Sequence, residues 1–172
     1  MKNLLYIFFL ALISCNNSTS QSDNDGMTTL YFIRHAEKRA DQGSDPELTA
    51  AGENRASEWV NYFFLKDVDA VLSSDTQRTR NTAAPLARAK KLETVIYDVA
   101  AVDGKSLLEE YRGKTVVLFG HSNTINTYAN DLQNDEKYGE LEDNDFDHFF
   151  IVRVDKNGNS SATKEAMEFE LD

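Results

Sequence analysis

The chain has 172 residues, 41% of them hydrophobic and 27% charged, which suffices for one domain with a sizeable core and is too few for two. Its 18 Lys and Arg against 29 Asp and Glu give a formal charge of −11, which excludes a nucleic-acid binder, because a duplex would be repelled. Any site for an anionic substrate must therefore be a local island of positive charge.

Residues 1–14 open with Lys2 and run apolar from Leu4 to Ile13, the length of a secretory signal and short of the ~20 residues a spanning helix needs. Leu12-Ile13-Ser14-Cys15 resembles a bacterial lipobox, which implies that Cys15 is lipidated and starts the mature protein. Cys15 is the only cysteine, so an internal disulfide is excluded. Residues 16–26 are polar and read as a flexible tether. These features predict a protein held at the membrane by a lipid anchor, in the cell envelope, with its folded domain over 27–172.

Short β-rich runs then alternate with helix-period segments, the pattern of a three-layer α/β/α sandwich with a mostly parallel sheet. Thr28–Ile33 reads as a buried strand. Over Thr49–Leu65, Ala56, Trp59, Val60, Phe63 and Phe64 form one apolar stripe of a helix. Ala70–Ser73 is a second strand, and Asp75 or Thr76 is placed to cap a helix with Thr79, Thr82, Ala83 and Leu86 on its inner face. Pro85 is expected to kink that helix or mark its early turns. Thr94–Tyr97 is a third strand and Ser106–Tyr111 a short helix. Thr115–Phe119 is a fourth strand, followed by a helix over Ser122–Leu132. The acidic segment Gln133–Asp145 reads as a solvated loop before a strand at His148–Val154. Asn157-Gly158 suggests a hairpin turn, and Met167, Phe169 and Leu171 alternate with Glu168 and Glu170 as an edge strand.

The chemistry-bearing residues sit at strand ends. The first strand runs into Arg34-His35, the fourth into Gly120-His121-Ser122, and Arg78 follows the second at a helix start. Ligands of open α/β sheets bind beyond the carboxyl ends of the strands, so both histidines share a crevice if their strands are neighbours. Arg34 and Arg78 suit phosphoryl oxygens, and nearby cations favour a neutral, nucleophilic imidazole. His121, if protonated, adds a donor to the oxygens that gain charge. Side chains supply the positive charge, so no metal or other cofactor is required. His148 reads as a histidine opening a strand.

Arg34-His35-Ala36-Glu37 resembles the Arg-His-Gly motif of the histidine phosphatase superfamily, the phosphoglycerate-mutase-like proteins, with Ala36 in place of glycine. Leu48-Thr49 with Gly52, Ser73–Thr79 with Thr82-Ala83, and Gly120–Thr124 resemble three further motifs of that family, in its order. The resemblance spans Thr28 to Leu132 and implies that His35 is the nucleophile that becomes phosphorylated. It also implies that Arg34, Arg78 and His121 hold the phosphoryl group, with Ser122 and Asn123 at the substrate. The long insertion that carries a glutamate acid in several relatives is missing here. So is the asparagine usual after the nucleophile, Asp41 being nearest. Asp98, Asp103, Glu37 and His121 are therefore all open as the proton donor. The resemblance implies a phosphatase acting on a small phosphorylated substrate. Two alternatives stand beside it: a non-catalytic phosphate-ligand module and a phosphoprotein phosphatase of the phosphohistidine type.

Overall fold

The computed structural model describes residues 26–133 and 135–167. Segment 1–14, Cys15 and the tether as far as 25 lie outside these residues, as do Phe169 and Leu171. The elements run β1 (Thr28–Arg34), α1 (Ala50–Tyr62), β2 (Ala70–Ser74), α2 (Gln77–Lys90), β3 (Thr94–Tyr97), α3 (Gly104–Glu110), β4 (Thr115–Gly120), α4 (Ile125–Gln133), β5 (His148–Val154) and β6 (Ser160–Ala166). They form one six-stranded sheet in the order β3-β2-β4-β1-β5-β6. The four strands from β3 to β1 are parallel, and the β5–β6 hairpin adds two antiparallel ones.

The central strands are apolar on both faces because both are covered. Leu30 and Phe32 of β1 and Val116 and Leu118 of β4 face a core with Leu107, Ile125 and Tyr128 of α3 and α4. The alternate residues Tyr31, Ile33, Val117 and Phe119 face Trp59, Phe63, Ala83 and Leu86 of the α1–α2 layer. Period-two alternation thus divides each strand between two helical layers, giving the expected three-layer sandwich.

Several element ends differ from the sequence reading. Helix α1 stops at Tyr62 and turns through Phe63, whose N–H reaches Trp59 O and Asn61 O. Phe64 is therefore exposed, outside the apolar stripe. Thr76 occupies the N-cap of α2 without a side-chain bond to a backbone N–H, and Asp75 pairs instead with Arg80. The first N–H of α2 is satisfied from a distant loop, Gln77 N donating to Asp45 Oδ1 at 2.7 Å. Pro85 falls inside α2. Helix α4 starts at Ile125, because Thr124 N–H closes a turn onto His121 O.

A strand that the sequence reading did not place, Ser160–Ala166, pairs with β5, while the edge strand expected at 167–171 lies, beyond Met167, outside the described residues. The Asp155–Asn159 turn sets the register, pairing Val154 with Ser160 and His148 with Ala166. A mostly exposed edge strand needs little apolar sequence, so SSATKEA carries no hydrophobic alternation to reveal it.

Candidate active site

Strands β1 and β4 are neighbours, with Arg34 opposite Gly120 in register. Their carboxyl ends bring His35 and His121 together, ring centroids 5.4 Å apart and planes inclined by 68°. Strand β2 on the other side of β4 delivers Ser74 and the start of α2, hence Arg78. Three separate junctions thus converge because of the sheet order.

His35 is buried, and its Nδ1 lies 2.8 Å from Ala36 O. A carbonyl only accepts, so Nδ1 carries the proton and Nε2 keeps the lone pair. Burial, reinforced by His121, Arg78 and Arg34, pushes the His35 pKa down to about 3. The imidazole is thus a neutral nucleophile of fixed tautomer throughout the physiological range. Ala36 is fully buried in a cluster with Leu48 and Ala56. Its N–H donates to Thr82 Oγ1 (3.0 Å), whose hydroxyl donates to Arg78 O (2.8 Å). One threonine therefore links the nucleophile's loop to the arginine helix.

Arg34 is buried, with Nη1 donating to Glu142 O (2.8 Å) and Asp145 O (2.9 Å). Its guanidinium carbon stands 4.3 Å from the Phe146 ring centroid. The acidic segment, expected to be solvated, here forms a strap over Arg34, with Leu141 buried beneath it. Arg78 is mostly buried, with Nη1 3.7 Å from Asp45 Oδ1. The Nε atoms of Arg34 and Arg78 are both buried and have no hydrogen-bond partner within the protein. Native structures rarely leave such donors unpaired, so both guanidinium groups have donor capacity left for an anionic ligand.

Burial together with Arg78, Arg34 and Lys38 pushes His121 down to about 4, so the condition that would make it a cationic donor is not met in the free pocket. His121 Nε2 is joined to Ser74 Oγ at 2.9 Å. An incoming phosphoryl group opposes the arginine charges and favours protonation of His121, which makes that donor ligand-dependent. Ser122 Oγ donates to Glu140 Oε1 (3.1 Å), and Asn123 is exposed in the same turn.

Of the open proton donors, Glu37 and Asp103 have structural duties. Asp103 caps α3 in a capping box with Ser106. Glu37 accepts from Arg55 Nε (3.0 Å) and Nη2 (2.7 Å), while Arg55 Nη1 reaches Asp147 Oδ1 (2.7 Å). Asp98 accepts the Ala100 N–H through Oδ1 (2.9 Å) and is exposed. With His121 it lines a crevice of about 500 Å³ that also takes in Ser74, Thr76, Tyr97 and Val99. Asp41 is exposed and paired with Arg39. His148 opens β5 and bonds the Asp145 carboxylate through Nδ1 (2.9 Å).

Arg55 escaped the sequence reading. It lies on the buried stripe of α1 with Gly52, Ala56 and Trp59, at helical spacing. A charged residue on an apolar stripe is the signal that was available. Asp147, Phe146 and Asp45 carry no comparable mark, because each acts through the fold rather than through its neighbours in sequence.

Residues 30–101 match the profile of the histidine phosphatase superfamily (branch 1). No curated protein matches the chain. Among solved structures it is similar to the protein histidine phosphatase SixA complexed with tungstate, at 18% identity and a TM-score of 0.62, covering 80% of this chain and 96% of that one. It also resembles a phosphoserine phosphatase from Entamoeba histolytica in complex with 3-phosphoglyceric acid, at 18% identity and a TM-score of 0.62, over 82% and 98% of the two chains. A mycobacterial glucosyl-3-phosphoglycerate phosphatase shares 13% identity with a TM-score of 0.61, over 81% and 98%. These likenesses carry the fold. The profile match, with its motifs converging on one pocket, supports a phosphatase.

Proposed function

We propose that this chain is a phosphatase of the histidine phosphatase superfamily and hydrolyses phosphomonoesters in two steps through a phospho-His35 intermediate, without a metal. The observation that carries the proposal is the pairing of a neutral, tautomer-fixed His35 with two buried arginines whose Nε donors have no partner in the protein. In the first step His35 Nε2 attacks phosphorus, the P–O bond to the substrate alcohol breaks, and the alcohol leaves with a proton from Asp98 or His121. In the second, water attacks the phosphohistidine, releases inorganic phosphate and restores Nε2. Arg34 and Arg78 take the positive role at the transferring oxygens that a metal plays elsewhere. The crevice bordered by Ile96, Asp98 and Val99 receives the part of the substrate beyond phosphorus.

The compartment is the second half of the proposal. Segment 1–14 is a secretory signal, Cys15 is acylated, and the domain works at the cell envelope on small phosphorylated molecules found there. Two observations favour keeping a phosphoprotein substrate in view: only the short Asp98–Asp103 stretch separates β3 from α3, and Ile96 and Val99 stay exposed at the crevice mouth.

The test is hydrolysis of an aryl phosphate by the full chain in excess chelator, beside His35→Ala, with trapping of acid-labile phosphate on the protein. Activity and phosphoenzyme that survive chelation and vanish in the variant support the mechanism. Labelled phosphohistidine in His35→Ala refutes it. Tight vanadate binding without turnover of any ester or phosphopeptide supports a non-catalytic phosphate-ligand module instead. For the anchor, Cys15→Ser should leave the membrane fraction.

A further inference from the structure

Five large apolar side chains are exposed among the described residues, and two of them, Ile96 (47%) and Val99 (36%), line the crevice that His121 also lines. Single surface apolar residues need no explanation, but these two are held in place beside the candidate site. Strand β3 is an edge of the sheet, and its register with β2 sets Ile96 opposite Ser73 and Tyr97 opposite Ser74. Ser74 Oγ is the atom joined to His121 Nε2 at 2.9 Å, so the end of β3 stands one strand away from that contact. Tyr97 is buried, its hydroxyl donating to Phe119 O (3.2 Å). Val99 sits in a turn closed twice onto Asp98, by Ala100 N–H on Oδ1 (2.9 Å) and by Ala101 N–H on the carbonyl oxygen (3.0 Å). Ile96, Tyr97 and Val99 thus form an apolar wall that exists before any ligand arrives.

The polar side chains of the crevice are engaged within the protein. Thr76 Oγ1 bonds Thr79 Oγ1 (2.8 Å), Asp75 pairs with Arg80, and Ser74 is held by His121. Among the described residues no lysine or arginine lines the crevice, whereas the carboxylates of Asp75 and Asp98 do. A carboxylate or a second phosphate on the substrate would find no cation there and would be repelled. The volume of about 500 Å³ lies in the range of small-molecule sites, which are mostly apolar with few polar groups.

We propose that this crevice is a subsite for an uncharged, apolar leaving group, an aryl or branched-alkyl alcohol, and that Ile96 and Val99 select it. The inference rests on the phosphomonoesterase reading and narrows its substrate class. Phosphorus sits with His35 and the two arginines, and the body of the alcohol lies over Ile96, Tyr97 and Val99. Contact there removes apolar surface of both partners from water, so hydrocarbon added to the leaving group adds affinity. Phosphorylated acids gain nothing from this wall and meet its carboxylates.

The experiment measures, by calorimetry on the full chain, the affinities of four non-hydrolysable phosphonates: benzyl, 2-naphthylmethyl, 4-(carboxymethyl)benzyl and 4-(aminomethyl)benzyl. The second ring should tighten binding about tenfold, the usual worth of added hydrocarbon in an apolar pocket, and the carboxylate should weaken it. Ile96→Thr combined with Val99→Thr keeps β-branched side chains and places hydroxyls in the wall. The naphthyl preference should then fall below about threefold, while Ile96→Leu alone, still apolar, should retain it. Circular dichroism checks that each variant is folded. A wild-type preference below about threefold, a preference unchanged in the threonine variant, or tightest binding by either charged phosphonate overturns the proposal. Binding of no phosphonate overturns it together with the phosphate pocket. Turnover of phenyl and 2-naphthyl phosphate is read separately. No turnover beside an intact naphthyl preference defeats the phosphatase reading while the apolar specificity stands, and turnover without that preference defeats the subsite alone.

Discussion

Replacing Arg55 by methionine removes three hydrogen bonds to the Glu37 carboxylate at 2.7–3.0 Å and one to Asp147 at 2.7 Å. The Arg55 side chain is 5% exposed and that of Glu37 19%, so the change strands a largely buried carboxylate. Breaking a buried pair from one side costs about 3–5 kcal/mol. The Asp147 arm is half-exposed and screened, so it adds at most about 1 kcal/mol. Methionine refills the apolar volume, which puts the expected loss near about 3 kcal/mol. With a urea m-value of about 1–3 kcal/mol/M, the unfolding midpoint falls by roughly 1.5 M. Adding Glu37→Gln removes the orphaned charge and should restore at least about 1 kcal/mol. Well below the transition, kcat/KM should also fall, because Asp147 tethers the strap whose carbonyls hold Arg34. A loss under about 1 kcal/mol, or no recovery in the double variant, would refute the reasoning.

Arg78→Ala should lower kcat about 10²–10³-fold, the usual loss for one transition-state donor, and a tenfold loss or less in steady-state kinetics would remove Arg78 from the phosphate pocket. The two active-site imidazoles, held down at about 3 and about 4, should stay neutral to pH 5 in NMR titration of the free protein. The unfolded chain, with histidine near 6.5, binds more protons below that pH, so these groups destabilise the fold as pH drops from 6.5 towards their folded values. At pH 5 the loss reaches about 2 kcal/mol per histidine. Stability unchanged between pH 7 and 5, or an active-site imidazole titrating near 6.5, would contradict the burial argument. Gly52→Ala sets a Cβ 2.3 Å from Glu37 O, two residues beyond the nucleophile, and backbone must move. The expected cost is about 2 kcal/mol, a fall in Tm of roughly 4–8 °C by calorimetry, and a shift under 2 °C would mean the loop yields freely.

Much of the fold was legible because the central strands are local features. TTLYFI and TVVLF are apolar on both faces, and each parallel strand is followed by helix-period sequence. The ends of elements were less legible. A turn or a distant cap decides them, as Asp45 does for α2 and the turn after Val154 does for β6.

The sequence by itself determined the composition of the candidate site. Arg34-His35, Arg78 and Gly120-His121 each sit at a strand–helix junction, and a junction is written in consecutive residues. Only the tertiary structure decided that these junctions meet, since it is the order β2-β4-β1 that makes them neighbours. It added burial, the largest cause of the neutral state of His35, to the nearby cations that the sequence already offered, and it decided the state of His121. It also assigned Glu37 to Arg55 and Asp103 to a helix cap, and it turned the acidic segment into a strap over Arg34. Chemistry carried by adjacent residues can be read along the chain. Partners such as Arg34 and Asp145, brought together only by the packing of the sheet, cannot.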